Sequence, residues 1–201
     1  MTMSNRSLPD KPGAGKRAPE EDSMTEDMRN SEVWAEHQRS EFETLSVENT
    51  LRTMVPEPYV NHIPTMTGGL GAAELGRFYR DHFIGQWPSD TTITPISRTT
   101  GDDQIVDEML ISFTHDQVID CILPGVAPTG RRIEVPTVAI VRFQDGKVAR
   151  EHIYWDQASV LVQAGLLDPL GLPVAGAETV AKLKDPTLPS NTLIMASLQS
   201  A

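Results

Sequence analysis

Three stretches in the first half of the chain carry apolar residues at the spacing of an amphipathic helix. The first runs from residue 31, and its apolar side holds Val33, Trp34, His37, Phe42 and Leu45. A second, short helix is predicted after Ser46, with Val47, Leu51, Met54 and Val55 on its apolar side. The third is predicted over residues 71–83, where the repeat is formed by Leu75, Phe78, Tyr79 and His82.

After Pro88 the pattern changes to the alternation and β-branched residues that are typical of strands. Strands are predicted over residues 91–99, 105–115, 135–143 and 147–156, and an earlier short strand over residues 59–63. A turn is predicted at Gly68-Gly69. Helices followed by consecutive antiparallel strands define an α+β fold class.

The distribution of proline, glycine and polar residues predicts three parts of the chain. Residues 1–30 are predicted to form a disordered N-terminal tail, because they offer little apolar surface to bury. Residues 31–168 are predicted to form one domain. Residues 169–201 are predicted to be an irregular C-terminal arm that packs on the domain or on a dimer partner.

The most informative local signal is Asp145-Gly146 between two strand-like runs, which predicts a type I′ hairpin turn. If both strands alternate regularly from that turn, Thr137, His152, Tyr154 and Asp156 share one sheet face beside apolar residues. This face is predicted to form a pocket wall. The alternative is that these residues form the solvated end of the sheet, and a register shift of one residue would reverse the two faces.

Composition limits the partners of this chain. The formal net charge is −11, which disfavours nucleic acid and anionic membranes as partners. The single cysteine, Cys121, excludes an intrachain disulfide and fits a cytoplasmic setting. Apolar residues are predicted on the outer sheet face, and they favour a homodimer through Val138, Ile140, Ile153 and Trp155.

An ordered set of short motifs resembles the SnoaL-like polyketide-cyclase family, within the nuclear-transport-factor-two-like superfamily that includes ketosteroid isomerase. The motifs are Tyr59-Val60-Asn61-His62-Ile63-Pro64, Pro128-Thr129-Gly130-Arg131, Arg142-Phe143-Gln144-Asp145-Gly146-Lys147-Val148, Glu151-His152, Asp156 and Leu161-Val162-Gln163-Ala164-Gly165-Leu166. The resemblance implies a cone-shaped curved antiparallel sheet wrapped around N-terminal helices, with a central pocket. It also implies that Asp156 is the catalytic acid or base. His62 matches the family's strand histidine and is predicted to be the second catalytic residue, as a partner base or an oxyanion donor.

The chain departs from the family pattern after Glu151-His152, so the choice between Asp156 and His152 as the key group stays open. Asp156 could instead cap the helix that follows it, and His62 could be a buried structural histidine. The remaining candidates for substrate binding are Tyr154, His152, Asn61, Tyr59, Trp34 and Phe78.

Two further groups of polar residues are assigned no role in a site. His37 and Glu41, four residues apart on the first helix, are interpreted as a surface pair. His62, His82, His115 and His152 lack the spacing of a helical zinc site, so no metal and no cofactor are predicted.

The leading hypothesis is a cofactor-independent enzyme of the isomerase, cyclase or lyase type. It would act by acid/base chemistry on a small hydrophobic carbonyl or polyketide-like compound. Two alternatives stay open, namely a non-catalytic ligand-binding or dimerisation module and a hydrolase in which Asp156 activates water. The family's fold hosts all of these, so fold alone does not decide between them.

Overall fold

The computed structural model describes the backbone of residues 20–199 and the side chains of residues 28–195. Helices and a single sheet alternate in the order predicted for an α+β fold. The elements are α1 (Glu20–Phe42), α2 (Val47–Arg52), β1 (Met54–His62), β2 (Thr67–Leu70), α3 (Ala72–His82), β3 (Thr92–Gly101), β4 (Gln104–Thr114), β5 (Arg132–Gln144), β6 (Lys147–Trp155), α4 (Gln157–Gln163), α5 (Glu178–Lys184) and α6 (Thr192–Gln199).

Most predicted elements are confirmed within two or three residues, and four regions differ. Met54 and Val55, predicted on the second helix, belong to β1, which begins five residues before the strand predicted over residues 59–63. The predicted turn at Gly68-Gly69 lies inside strand β2, which pairs with β1. Residues 20–30 are helical, so the predicted disordered segment does not extend to residue 30; residues 1–19 lie outside the described residues. The C-terminal arm contains α5 and α6, and Val180 of α5 is buried.

The six strands form one curved, unclosed sheet in the order β2-β1-β6-β5-β4-β3. All neighbours are antiparallel except β1 and β6, which run parallel. Helices α1 and α3 cover the concave face. Along β5 the residues that face these helices are buried and alternate with half-buried or exposed residues, as a one-sided sheet requires.

A β-bulge in β6 determines which of its side chains face inwards. The hairpin turn is confirmed, with φ of 52° at Asp145 and 68° at Gly146, and Phe143 pairs with Val148. The next pair is Arg142 with Arg150, so Ala149 is an extra residue on β6. Beyond the bulge the two faces are exchanged relative to a regular strand.

The predicted inward face of β6 is therefore wrong. Glu151 is buried opposite Val141, and Ile153 and Trp155 follow it on the concave side. His152 and Tyr154 lie on the convex side, where the exposed fraction of Tyr154 is 40%. The same exchange removes Ile153 and Trp155 from the outer face that was predicted to form a dimer interface.

Candidate functional site

A cavity of about 60 Å³ lies between α1 and the concave face of the sheet. This volume is several times the ~10–15 Å³ that one water molecule needs, so the cavity holds only a small chemical group. Every strand except β2 contributes to its wall. The lining residues are Trp34, Gln38, Glu41, Phe42, Val60, His62, Tyr79, Phe83, Trp87, Ile93, Met109, Ile111, Ile122, Thr137, Ala139, Glu151, Ile153 and Trp155.

A larger groove of about 1060 Å³, here called the vestibule, adjoins this cavity between α1 and strands β3 and β4. The cavity and the vestibule share six lining residues, which mark the junction between them: Gln38, Glu41, Phe42, Trp87, Ile93 and Met109. A ligand larger than the cavity can therefore place one group inside it and the remainder in the vestibule.

Three ionisable side chains meet in the wall of the cavity. The Nε2 atom of His37 lies 3.1 Å from Oε1 of Glu41 and 3.2 Å from Oε1 of Glu151. His37 and Glu41 are one helical turn apart on α1, whereas Glu151 reaches them from β6 because of the bulge at Ala149. All three are buried. The interpretation of His37 and Glu41 as a surface pair is wrong, because this face of α1 lies against the sheet.

The other nitrogen of His37 has a defined hydrogen-bond role. The hydroxyl of Thr53 donates to the carbonyl oxygen of Thr50 at 2.6 Å, so its oxygen is the acceptor for His37 Nδ1, also at 2.6 Å. Nδ1 therefore carries a hydrogen. A second hydrogen on Nε2 makes His37 an imidazolium that donates to Glu41.

Burial alone would lower the pKa of His37, but the carboxylates of Glu41 and Glu151 raise it to about 10. Burial raises the pKa of Glu41 despite the opposing effect of His37. One imidazolium and two carboxylates have a net charge of −1.

Two polar atoms of this cluster are buried without a hydrogen bond of regular geometry to the described residues. They are Oε1 of Glu151, an acceptor 3.2 Å from His37 Nε2, and the hydroxyl of Tyr79, a donor beside the Glu41 carboxylate. Burial, together with the Glu151 and Glu41 carboxylates, raises the pKa of Tyr79 well above its ordinary value, so the phenol keeps its proton.

His62 lies in the same wall as a neutral imidazole. Its Nδ1 lies 3.2 Å from the carbonyl oxygen of Thr67, to which it donates, so Nε2 is the acceptor nitrogen. Burial lowers the pKa of His62 to about 4, with the Thr67 carbonyl and Glu151 acting in the opposite direction. His62 is thus a hydrogen-bond acceptor at neutral pH.

Trp34 joins the cluster to the far edge of the sheet. Its ring stacks on His37 with a centroid distance of 5.2 Å, and its Nε1 donates to Oδ2 of Asp107 at 2.7 Å. Arg98 holds Asp107 through two hydrogen bonds of 2.5 and 2.7 Å. These contacts fix one aromatic wall of the cavity.

Asp156 lies outside the cavity. Its side chain is exposed and caps α4 by accepting a hydrogen bond from the Ser159 backbone N–H at 3.2 Å. The placement of Asp156 on the pocket wall is therefore wrong, since α4 begins where β6 leaves the sheet. Its proposed acid/base role stays a prediction.

The predicted substrate-binding residues divide between the two sides of the sheet. Trp34 lines the cavity, and Phe78 packs against His62 in the core behind it. The other four are on the convex side, where the Tyr59 ring contacts that of His152 at 5.5 Å: Tyr59, Asn61, His152 and Tyr154. Their assignment to substrate binding also stays a prediction.

The cluster also has the donor atoms of a metal site. One nitrogen of His37 and one oxygen from each of Glu41 and Glu151 lie within 4.8 Å of one another. Three such ligands are the number that catalytic zinc sites use, so these residues could hold a divalent cation in place of protons. The search for metal ligands in the sequence missed this set because it omitted His37.

The fold defines a cone-shaped α+β protein with a buried cavity on the concave side of its sheet. The sequence profile of the SnoaL-like domain matches residues 32–151, and the chain belongs to that family. No curated protein matches the sequence. Among the described residues, none of the helices is both long enough and apolar enough to cross a lipid bilayer.

Solved structures share this fold at low sequence identity. A candidate SnoaL-like polyketide cyclase from Jannaschia sp. CCS1 has a TM-score of 0.55 and 18% identity, over 77% of this chain and 100% of that one. A candidate polyketide cyclase from Acidithiobacillus ferrooxidans has a TM-score of 0.55 and 18% identity, over 68% and 94%. TerC, co-crystallised with polyporic acid, has a TM-score of 0.51 and 17% identity, over 68% and 98%.

Proposed function

We propose that the protein is a cofactor-independent acid/base enzyme of the isomerase, cyclase or lyase type, acting on a small hydrophobic carbonyl compound in the cavity. One observation carries the proposal. Glu151, whose carboxylate Oε1 lies 3.2 Å from His37 Nε2, and Tyr79, which carries a phenol hydroxyl, line the same buried cavity. A base and a hydrogen-bond donor in one dry site are what proton abstraction beside a carbonyl needs.

In the proposed reaction, Glu151 accepts a proton from the carbon next to the substrate carbonyl. The electron pair of the broken C–H bond moves towards the carbonyl oxygen, where the Tyr79 hydroxyl donates a hydrogen bond to the developing enolate. Return of the proton to another carbon gives isomerisation. Attack of the enolate on a second carbonyl gives cyclisation, and loss of a leaving group gives elimination.

The neighbours of Glu151 hold its side chain in position. His37 provides a positive charge whose Nε2 lies 3.2 Å from Glu151 Oε1. His62 supplies a neutral acceptor elsewhere in the cavity lining. In this proposal His62 keeps a role at the site, while Asp156 acts only as a helix cap.

The fold neighbours support the substrate class at a coarse level. Two of them are candidate polyketide cyclases, and TerC was crystallised with a small organic molecule, polyporic acid. We also propose that the protein is a homodimer, with the half-buried convex residues Val138 and Ile140 at its interface.

Deuterium exchange into cyclopentanone tests the proposal without knowledge of the natural substrate. Exchange of the protons next to the carbonyl is followed by NMR in D₂O at neutral pH. We expect the protein to accelerate exchange above the buffer rate, and the acceleration to disappear in Glu151→Gln but not in the exposed control Glu48→Gln. Cyclopentanone binding without accelerated exchange would favour a non-catalytic binding module.

A further inference from the structure

The wall of the cavity holds negative charge that its own residues do not balance. Glu41 and Glu151 contribute two carboxylates, and His37 behind them contributes one positive charge. The residues described as lining the cavity include no lysine or arginine, and His62 is neutral. The site therefore disfavours an anion and has room for one more positive charge.

The vestibule has the same sign of charge. Its described lining contains four acidic residues and two arginines, Arg39 and Arg98. Arg39 already pairs with Glu36 outside the lining, and Arg98 with Asp107. The approach to the cavity is therefore acidic, and it raises the local concentration of cations.

Aromatic rings surround this negative charge. All three tryptophans of the chain, Trp34, Trp87 and Trp155, line the cavity, together with Phe42, Tyr79 and Phe83. Ring faces attract cations, and tryptophan attracts them most strongly. Phe42 and Trp87 lie at the junction with the vestibule beside Glu41 and Gln38, whose oxygens are acceptors.

The acceptors at this site favour a cation that has N–H groups. A protonated amine can donate to the carboxylate of Glu41, which a quaternary ammonium cannot do. The small volume of the cavity also suits an amino group better than a bulky head group.

We propose that the site recognises a protonated aliphatic amine, with its ammonium group at Glu41 beside the Phe42 and Trp87 rings and its hydrocarbon portion along the vestibule. This inference rests on the proposed function in taking the cavity as the substrate site, and it defines the substrate as an amine-bearing compound. Glu151 remains available as the base.

Intrinsic fluorescence tests this proposal directly, because every tryptophan of the chain lines the cavity. The full-length protein is titrated with n-hexylamine, which is protonated at neutral pH as lysine is, and with the neutral isostere 1-hexanol. EDTA is present, so that a metal ion at His37, Glu41 and Glu151 does not contribute. We expect hexylamine to bind at least about 10-fold more tightly than hexanol, and hexanoate most weakly.

The variant Glu41→Gln tests whether the Glu41 carboxylate causes the preference for hexylamine over hexanol. The matched control is Glu48→Gln on the surface. We expect Glu41→Gln to remove the preference for amine over alcohol while hexanol affinity is unchanged. Equal affinity of the wild-type protein for hexylamine and hexanol, or tighter binding of hexanoate, overturns the proposal even if Glu41→Gln does not fold. These titrations measure no turnover, so they are independent of the cyclopentanone exchange.

Discussion

The Oε1 atom of Glu151 lies 3.2 Å from Nε2 of His37, and this contact joins strand β6 to helix α1 through the cavity wall. Both residues are buried, and each belongs to a different layer of the fold. The geometry of the site therefore depends on the docking of α1 on the sheet. A charge in a dry site is held by its immediate partners, so changes at either residue are expected to affect function strongly.

Replacing Glu151 with glutamine is expected to lower cyclopentanone exchange by about 100-fold or more, the usual contribution of a general base. The amide keeps the shape of the side chain but cannot accept the proton. The comparison variant is Asp156→Asn, for which we expect exchange at the wild-type rate, because Asp156 caps α4 outside the cavity. Loss of exchange in Asp156→Asn, with Glu151→Gln unaffected, would return the assignment to the residue predicted from sequence.

Replacing Tyr79 with phenylalanine separates catalysis from stability. We expect exchange to fall by about 100-fold, as when an enolate loses its hydrogen-bond donor. Stability in urea is expected to stay the same or to rise, because the hydroxyl that is removed has no hydrogen-bond partner in the described structure. A large loss of stability together with full exchange activity would contradict the proposed role.

The sequence predicted the hairpin at Asp145-Gly146 but could not predict the site on β6. The alternation along β5 is regular, and its buried face is as expected. On β6 a single extra residue, Ala149, reverses the pattern, and alanine carries no local signal for a bulge. Because the bulge was not predicted, His152 and Asp156 were assigned to the pocket wall. In the structure Glu151 lines the cavity instead.

The His37–Glu41 pair shows a second limit of prediction from the sequence, namely that burial caused by tertiary packing was not predicted. Its helical spacing was visible in the sequence, and so was the polar character that suggested a surface position. What buries the pair is the packing of α1 against β6, a contact between distant parts of the chain. In the sequence, the sign that this face of α1 is buried was Trp34, which lies one helical turn before His37. In the structure the Trp34 ring stacks on the His37 ring.

The free energy of unfolding is expected to decrease at alkaline pH because His37 loses its proton there. Its pKa is about 10 in the folded protein and 6.5 in the unfolded chain. The folded state therefore binds more protons between these values, and the stabilisation is complete below pH 6.5 and lost as the pH rises towards 10. We expect urea midpoints to fall over this range, and His37→Gln to flatten the decline.

His62 predicts the opposite behaviour on the acid side. Its pKa falls from 6.5 in the unfolded chain to about 4 in the folded protein. The stabilisation from the neutral ring is present above pH 6.5 and is lost as the pH falls towards 4. Urea midpoints of His62→Gln are expected to vary less between pH 6.5 and 4 than those of the wild type, with the alkaline side unchanged.

Asp107 is expected to stabilise the aromatic wall more than an ordinary surface carboxylate does. Asp107→Ala leaves the Trp34 N–H without its acceptor, which costs about 1–3 kcal/mol in a buried position. The matched control is Asp103→Ala, whose partner Arg142 is half exposed and whose ion pair is worth less than ~1 kcal/mol. Urea denaturation of the two variants measures the difference, and equal losses would contradict the special role of Asp107.

The homodimer prediction now rests on a smaller set of residues than the sequence suggested. Ile153 and Trp155 face the cavity, which leaves Val138 and Ile140 beside the exposed Tyr154 on the convex face. Light scattering is expected to give twice the chain mass, and Ile140→Lys to give the single-chain mass, because a buried ammonium would lack a partner there. The cavity lies on the opposite side of the sheet, so hexylamine affinity should survive in the monomeric variant. A wild-type mass equal to one chain would show that this face is open to solvent.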